Sequence, residues 1–219
     1  GVQEALTSRR TVYRYKREEV PDRILESAFE AASNAPCHKN THPWKFYVMG
    51  KESRESIIPE VERLAKEKSR GEEDMESGIS KAIEKIASPP LLICVTSSRS
   101  PLDPFREEED YAATACAIHN MILSLWGNGV GSQWSTGAIT RSDVAYAAIE
   151  ASRKEERIVG FIKAGYPERI PSISKKAVEE ILKEDYFNLQ NSCKRVSNQF
   201  DRDILGAQLA NLISELMVE

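Results

Sequence analysis

Two adjacent arginines, Arg9 and Arg10, are followed directly by the hydroxyl of Thr11. Guanidinium groups carry a permanent charge and bind a phosphate ester through paired, charge-assisted hydrogen bonds, to which a neighbouring hydroxyl adds a donor. The pattern therefore predicts a binding site for a phosphate monoester, a phosphate grip, directly after a short N-terminal helix. Paired arginines also occur on solvated surfaces, so these residues alone leave both interpretations open.

A second polar group lies between two prolines and contains Cys37, His38, Lys39, Asn40 and His42. The prolines stiffen the chain, so we expect an ordered loop that presents hydrogen-bonding groups, either to a ligand or only to solvent. The cysteine and the two histidines are of types that bind zinc, but their spacing lacks a paired-ligand frame and a fourth ligand. We therefore expect no metal site, and neighbouring Cys37 and His38 do not form the geometry of a nucleophilic pair.

Two further groups follow predicted strands. Trp134, Ser135, Thr136 and Gly137 form a strand end that offers hydroxyls and backbone N–H groups. Arg169 lies in a proline-braced turn after the last predicted strand. The glycines near 127–131 follow a helix and enter a strand, which is the wrong context for a phosphate-binding glycine loop.

The composition excludes several classes of protein. The chain has 219 residues, 41% hydrophobic and 29% charged, with a formal net charge of −4. These values are typical of a globular protein, and the negative charge argues against nucleic acid or an anionic membrane as a partner. The longest apolar run, Leu91 to Val95, is too short to cross a bilayer, and residues 1–10 lack a hydrophobic signal region. We expect a cytoplasmic protein whose four scattered cysteines are reduced thiols.

Hydrophobic periodicity predicts one domain of the α/β class, in which about four strands alternate with helices. Residues 51–86 are rich in charge and interrupted by Pro59, which predicts broken, exposed and mobile helices that form a solvated face or a lid. The predicted helices cover 21–32, 110–128, 142–151 and a tail at 185–219, and the predicted strands cover 44–49, 91–96, 132–136 and 158–164.

The helix over 110–128 is apolar almost all round, and we expect His119 within it to be buried. A helix of this kind must be covered on every side, and the apolar stripe of the tail also needs a partner. Isologous pairing of two chains would cover both, so we expect an obligate homodimer.

Taken in order, RRTVYRY, APCHKNTHPWKF, GVGSQW and VGFIKAGYPERIP resemble the nitroreductase family of flavin oxidoreductases over roughly residues 5–171. The resemblance implies a three-layer fold with a central mixed sheet flanked by helices, in an intertwined homodimer. It also implies bound FMN, and NADH or NADPH as the donor of electrons to nitroaromatics, quinones or related small acceptors. The flavin carries out the redox chemistry in such proteins, so no side chain is assigned a catalytic role.

The same resemblance assigns cofactor-binding positions. Arg9, Arg10 and Thr11 match the phosphate and ribityl grip, Tyr13 falls where a basic residue often reaches the flavin, and Arg169 matches a late phosphate-binding arginine. The loop with Cys37, His38, Asn40 and His42 matches one that meets FMN across the dimer interface, and Trp134 to Gly137 match a strand end beside the ring.

Three positions depart from the family pattern: Thr11 and Cys37 each replace a serine, and His38 replaces a small residue. Two alternatives therefore stay open. One is a flavin enzyme of other chemistry on the same scaffold, such as a deiodinase, a cobalamin lower-ligand synthase or a dehydrogenase. The other is a flavin-binding protein without enzymatic activity.

Overall fold

A computed structural model describes residues 1–69 and 74–182. The chain divides into two compact units, Gly1–Ser172 and Ile173–Glu219. The described part of the second unit contains a single 3-10 turn, Val178–Glu180. The predicted helix at 185–219 and the thiol of Cys193 lie outside the described residues.

The described part of the first unit alternates helices with strands. The helices are α1 (Val2–Ser8), α2 (Asp22–Ser33), α3 (Lys51–Lys68), α4 (Met75–Ala87), α5 (Pro104–Gly127) and α6 (Asp143–Ala148). The strands are β1 (Trp44–Val48), β2 (Leu91–Ser98), β3 (Gly131–Ser135) and β4 (Glu156–Gly165). Single 3-10 turns lie at His38–Asn40 and Ala138–Arg141.

The four strands form one sheet in the order β1-β2-β4-β3, with every pair antiparallel. Within the described residues, the parallel pairing of the expected mixed sheet is limited to an isolated bridge between Thr11 and Ser132. Strands β1 and β2 are antiparallel because α3 and α4, which connect them, leave the sheet at the end of β1 and return to the same end. Strand β2 therefore enters beside Val48 and runs in the opposite direction to β1.

The sheet is the middle of three layers, as the sequence predicted. One face packs against α2 and α5 through a core that includes Ile24, Ile118, Met121 and Leu125. The other face packs against α3, α4 and α6 through residues such as Ile57 and Tyr146. Seven of the eight residues of the inner strand β2 are buried and its first five are apolar, so the strand is covered on both faces.

Two predicted boundaries differ from the structure. Pro59 lies inside α3 and does not end it, and Ile57 and Val61 of that helix are buried against the sheet. Helix α5 begins at Pro104, six residues earlier than predicted, because Asp103 caps it by accepting a hydrogen bond from the Arg106 amide at 3.1 Å. The mobility of residues 51–86 stays a prediction.

One face of α5 is not covered by the described residues of the chain. Ala112, Cys116 and His119 lie on this face and are exposed in the single chain. That a second chain covers the helix, and His119 with it, stays a prediction. The spacing of these residues places them on one side of the helix, opposite the buried Ile118, Met121 and Leu125.

Over residues 1–69 and 74–182, no helix is long and apolar enough to cross a membrane.

Candidate functional site

The N-terminal segment after α1 lies against the first residues of β3. The amide of Val12 donates to the Ser132 carbonyl at 3.0 Å, beside the parallel bridge between Thr11 and Ser132. Val12 is fully buried, and a Cβ on Gly131 would lie 2.5 Å from its Cγ2. The close approach thus depends on a glycine at 131. Because side chains alternate along extended chain, Thr11 and Tyr13 lie opposite the buried Val12, and Tyr13 is exposed.

The turn that carries Arg169 pairs with the same N-terminal segment. Tyr15 bridges Pro167 in antiparallel fashion, and the Glu168 amide donates to the Arg14 carbonyl at 3.2 Å. Tyr15 Oη also donates to the Lys163 carbonyl at 3.0 Å, and burial raises the pKa of its phenol. Arg169 therefore directly follows Glu168, whose amide is hydrogen-bonded to the N-terminal segment. The Tyr15 bond to Lys163 holds the same segment against the end of β4.

The two adjacent arginines are held at the end of α1. Arg10 Nη1 donates to the Thr7 carbonyl and to the Arg9 carbonyl, each at 2.9 Å, and both arginines are half-buried. Trp126 Nε1 donates to Ser8 Oγ at 2.9 Å and fixes α1 to the C-terminal end of α5. A guanidinium has five N–H donors, so Arg10 retains donors for a ligand.

The strand end at 134–137 lies at the other end of β3. The Trp134 indole packs over Gly160, where a Cβ would lie 2.4 Å from its Nε1, so this side chain belongs to the core. Ser135 Oγ donates to the Phe161 carbonyl at 3.3 Å, whereas Thr136 and Gly137 are exposed. The groups that this strand end offers to a ligand are therefore those of Thr136 and Gly137.

The loop after α2 has an unusual backbone. Lys39, Asn40 and His42 have φ values of 51°, 53° and 44°, in the left-handed region that non-glycine residues rarely occupy. Such a conformation costs about 1–3 kcal/mol for each residue, and it concentrates at ligand clamps and other functional sites. Cys37 Sγ lies 3.9 Å from His42 Nδ1, and His38 Nδ1 lies 3.7 Å from Glu109 Oε1.

A buried carboxylate holds this loop in place. Thr41 Oγ1 donates to Asp110 Oδ1 at 2.7 Å, and Arg106 Nε donates to Asp110 Oδ2 at 3.1 Å. Asp110 is 2% exposed. Sequence reasoning did not single out Asp110 or Arg106, because Asp110 directly follows three glutamates and its residue type alone does not distinguish it from solvated charges.

Within one chain the loop and the N-terminal arginines lie far apart. The loop contacts α5 at Asp110, and the end of α1 contacts α5 at Trp126. At ~1.5 Å of rise per residue, the helix between these two contacts is about 24 Å long. The chain therefore assembles the candidate site in two parts: Arg9, Arg10, Thr11, Tyr13, Arg169 and the strand end at 134–137 in one part, and the loop with Cys37, His38, Asn40 and His42 in the other.

The first part matches the chemistry of a flavin mononucleotide. The segments that carry Arg9, Arg10, Thr11 and Arg169 meet near the start of β3 and contain donors for a phosphate, and the exposed polar strand end at the other end of β3 suits a ring with polar edges. The donor set therefore fits the cofactor that the sequence implied. Among the described residues, no group of three or more His, Cys, Asp and Glu side chains is placed to hold a metal ion.

Comparison with known proteins gives a consistent result. The model of the family described as "Nitroreductase family" matches residues 6–166. The chain belongs to the nitroreductase family. Its relatives include YdjA of Escherichia coli K12, which is named provisionally as an NAD(P)H nitroreductase; the two are 30% identical over 171 residues, which cover 78% of this chain and 91% of YdjA.

Solved structures of this family have the same fold. A nitroreductase-like family protein from Bacillus cereus superposes with a TM-score of 0.70 at 25% identity, covering 84% of this chain and 95% of that one. An iodotyrosine deiodinase bound to FMN and 3-iodo-L-tyrosine superposes with a TM-score of 0.68 at 21% identity, covering 84% and 98%. The second likeness concerns the fold alone.

Proposed function

We propose that this nitroreductase-family chain binds FMN and uses NADH or NADPH to reduce small acceptors, with nitroaromatics and quinones as the acceptor class. The observation that carries the proposal is the convergence of Arg9, Arg10 and Thr11 with the Arg169 turn beside the start of β3. Family membership and the NAD(P)H nitroreductase name of YdjA support the same activity.

The three arginines would hold the phosphate of FMN. Arg10 is fixed by its bonds to the end of α1, so part of the entropy of ordering its side chain is already lost before a ligand binds. Each hydrogen bond to a charged phosphate contributes about 1.5–3 kcal/mol. Thr11 would add a hydroxyl, and Tyr13 lies on the same side of the segment as Thr11.

Strand β3 would set the position of the ring. A strand rises ~3.3 Å per residue, so Thr136 lies about 13 Å further along the strand than Ser132. A ligand held at its phosphate end beside Ser132 and extended along β3 would bring its other end to Thr136 and Gly137. Bound FMN would supply the hydride-transfer chemistry, and this chain's residues would supply binding, orientation and charge.

A second copy of the chain would complete the site. The loop contacts α5 near Asp110 and the arginines lie near Trp126, and the midpoint of this interval falls at residue 118. The uncovered face of α5, with Ala112, Cys116 and His119, surrounds that midpoint. If two α5 helices cross there in opposite directions about a two-fold axis, the loop of each chain comes to the arginines of the other.

The loop residues then acquire roles at the flavin. Asn40 and the two histidines, His38 and His42, are exposed hydrogen-bonding groups on a backbone that the Thr41–Asp110 contact holds in shape. Donors of this kind would stabilise negative charge on a reduced ring. Cys37 is half-buried beside His42 and would contribute a weakly polar contact.

The experiment that tests the proposal begins with the absorbance spectrum of the purified full chain. We expect flavin bands, one FMN released per chain on denaturation, and oxidation of NADH or NADPH that depends on an added nitroaromatic or quinone. Protein that stays colourless after incubation with excess FMN would contradict the proposal. Flavin without NAD(P)H oxidation by any acceptor would favour a binding protein, and 3-iodo-L-tyrosine as a separate acceptor tests deiodinase chemistry.

A further inference from the structure

A cavity of about 460 Å³ lies at the edge of the sheet where β2 and β3 end and β4 begins. Four of the side chains that line it are arginines, and one is a carboxylate, that of Glu107. The arginines are Arg99, Arg141, Arg153 and Arg157. They come from four separate segments of the chain, so their convergence is a product of the fold and could not be read from a sequence motif.

Two of the four arginines are partly neutralised. Arg99 Nε lies 3.6 Å from Glu107 Oε1, and its Nη1 donates to the Arg153 carbonyl at 3.2 Å. Arg153 Nη1 donates to Asp143 Oδ1 at 2.5 Å, and its guanidinium lies 5.6 Å from the centre of the Tyr146 ring. These contacts hold both side chains at the cavity wall.

The other two arginines have no carboxylate partner within the described residues. Arg157 lies over the Tyr111 ring, with its guanidinium carbon 5.0 Å from the ring centre. This stacking orients the guanidinium, and its N–H donors have no hydrogen-bond partner among residues 1–69 and 74–182. Arg141 is the last residue of the turn Ala138–Arg141 and forms no ion pair in the part of the chain that the structure describes. The cavity therefore has a positive charge that its own wall does not balance.

We propose that this cavity binds an oxyanion group, a phosphate or a carboxylate, of a small-molecule redox partner. Planar guanidiniums bind such groups through paired hydrogen bonds, and an excess of positive charge in a concave surface raises the local concentration of anions. Thr136 lines the cavity and also belongs to the strand end assigned to the flavin ring. The cavity therefore opens next to the place where donor or acceptor would react.

The role of the bound anion rests on the proposed function, whereas the binding itself does not. Two sources fit the chemistry: a phosphate of the nicotinamide donor, and a carboxylate of the acceptor. Both would use Arg157 and Arg141, because these are the guanidiniums whose hydrogen-bonding capacity is not satisfied by the described wall.

The binding is tested by calorimetric titration of the full chain with pyrophosphate at low ionic strength. We expect Arg157→Gln to weaken the affinity about ten-fold, Arg157→Lys to retain part of it, and the matched surface variant Arg23→Gln to leave it unchanged. Added salt should weaken the wild-type affinity. Equal affinities in the wild type and in Arg157→Gln would overturn the proposal, whether or not the protein contains flavin.

The source of the anion is tested with two acceptors of similar shape, 4-nitrobenzoate and the neutral 4-nitrobenzyl alcohol. If the acceptor supplies the anion, Arg157→Gln should raise the KM for 4-nitrobenzoate about ten-fold more than the KM for the alcohol. If the donor supplies it, the KM for NADH or NADPH should rise with both acceptors. Unchanged KM values, or a change confined to the oligomeric state, would count against the cavity as an anion site.

Discussion

Thr41 Oγ1 donates a hydrogen bond of 2.7 Å to Asp110 Oδ1. This bond joins the loop after α2 to helix α5, which packs against the sheet. The acceptor is almost completely buried, and its second oxygen accepts from Arg106. The loop carries three non-glycine residues with positive φ, whose conformational cost must be offset by contacts of this kind. The Thr41–Asp110 bond is therefore the contact that we expect to control the shape of the loop.

Replacing Thr41 with valine tests this role. Valine keeps the shape of the side chain but removes the donor, so Asp110 Oδ1 loses a partner inside the protein and the free energy of unfolding should fall by about 1–3 kcal/mol. Urea unfolding measures the change. The matched control is Thr7→Val, which removes an exposed hydroxyl bonded to the Gln3 carbonyl and should change stability by less than about 0.5 kcal/mol. Equal losses in the two variants would contradict the assignment.

A charge on the uncovered face of α5 should separate the proposed dimer. Ala112 is exposed in the single chain but would be buried against the second copy, so Ala112→Arg places a charge in an apolar interface. We expect a monomer in sedimentation at micromolar concentration, together with weaker FMN binding, since the loop of the second chain is lost.

The control for this experiment is Ala87→Arg, which changes an exposed residue of α4 in the same way. It should sediment as the wild type does. A dimer that survives Ala112→Arg would show that the chains associate through another surface or that α5 is covered by a different partner.

The phosphate grip is tested most cleanly at Arg169, because this exposed side chain makes no hydrogen bond within the described residues. Loss of one charged hydrogen bond, about 1.5–3 kcal/mol, corresponds to a ten- to hundred-fold rise in the Kd for FMN. The measurement is fluorescence titration of Arg169→Gln with FMN. Arg17→Gln, an exposed arginine in the segment that follows the grip, should bind FMN as the wild type does, and the double change Arg9→Ala with Arg10→Ala should lose FMN.

The sequence predicted the elements of the fold well because their signals are local. The spacing of Ile24, Ala28 and Ala32 specifies α2, and the apolar run from Leu91 specifies an inner strand. The predicted start of α5 was six residues too late, because the first turns of this helix are mostly charged and show no apolar periodicity. A local signal was nevertheless present: Asp103 and Pro104 form a capping residue followed by a proline in the first turn.

Two features of the site could not have been predicted in this way. Thr41 and Asp110 are distant in sequence, and neither residue type in its own segment signals the other. The cationic cavity also depends on where β2, β3 and β4 end relative to one another, so Arg99, Arg141 and Arg157 converge only in the folded chain. Local periodicity specifies elements, whereas contacts between elements depend on sheet order and register.

The buried carboxylate of Glu156 in β4 should make the free energy of unfolding depend on pH in the acid range. Glu156 accepts hydrogen bonds from Lys45 Nζ at 2.6 Å, from Tyr47 Oη at 2.9 Å and from Thr96 Oγ1 at 2.5 Å. Burial alone would raise the pKa of Glu156, but the three donors lower it below its ordinary value. Its contribution is therefore fully present above an ordinary carboxyl pKa of ~4.3 and is lost as the pH falls through the lower folded value.

The corresponding variant is Glu156→Gln. We expect the free energy of unfolding at pH 7 to fall by about 1–3 kcal/mol, and the gap between wild type and variant to narrow below pH ~4. Denaturant unfolding at a series of pH values measures both. Glu108→Gln, an exposed change on α5, should show neither effect, and a gap that stays constant down to pH 3 would exclude Glu156 as its source.

A buried lysine in the same strand should also make stability rise with pH, but in the alkaline range, because its charged form destabilises the folded chain. Lys163 is 6% exposed and forms no ion pair within the described residues. Burial, with a smaller contribution from the charge of Lys85, lowers the pKa of Lys163 to about 8. Between pH ~8 and ~10.4 the unfolded chain therefore binds a proton that the folded chain does not, so this residue makes stability rise with pH by up to about 3 kcal/mol.

Lys163→Met isolates that contribution, because it keeps the length of the side chain and removes the charge. The variant should be more stable than the wild type at pH 7, and this advantage should shrink as the pH rises from 7 to 10. The comparison must be a difference between the two proteins, since burial raises the pKa of Tyr15 and of Cys94 and their ionisation in the unfolded chain lowers stability over the same range. Lys85→Met, an exposed change on α4, should give a much smaller pH-dependent difference. A difference between wild type and Lys163→Met that does not vary with pH would mean that Lys163 stays charged in the folded protein.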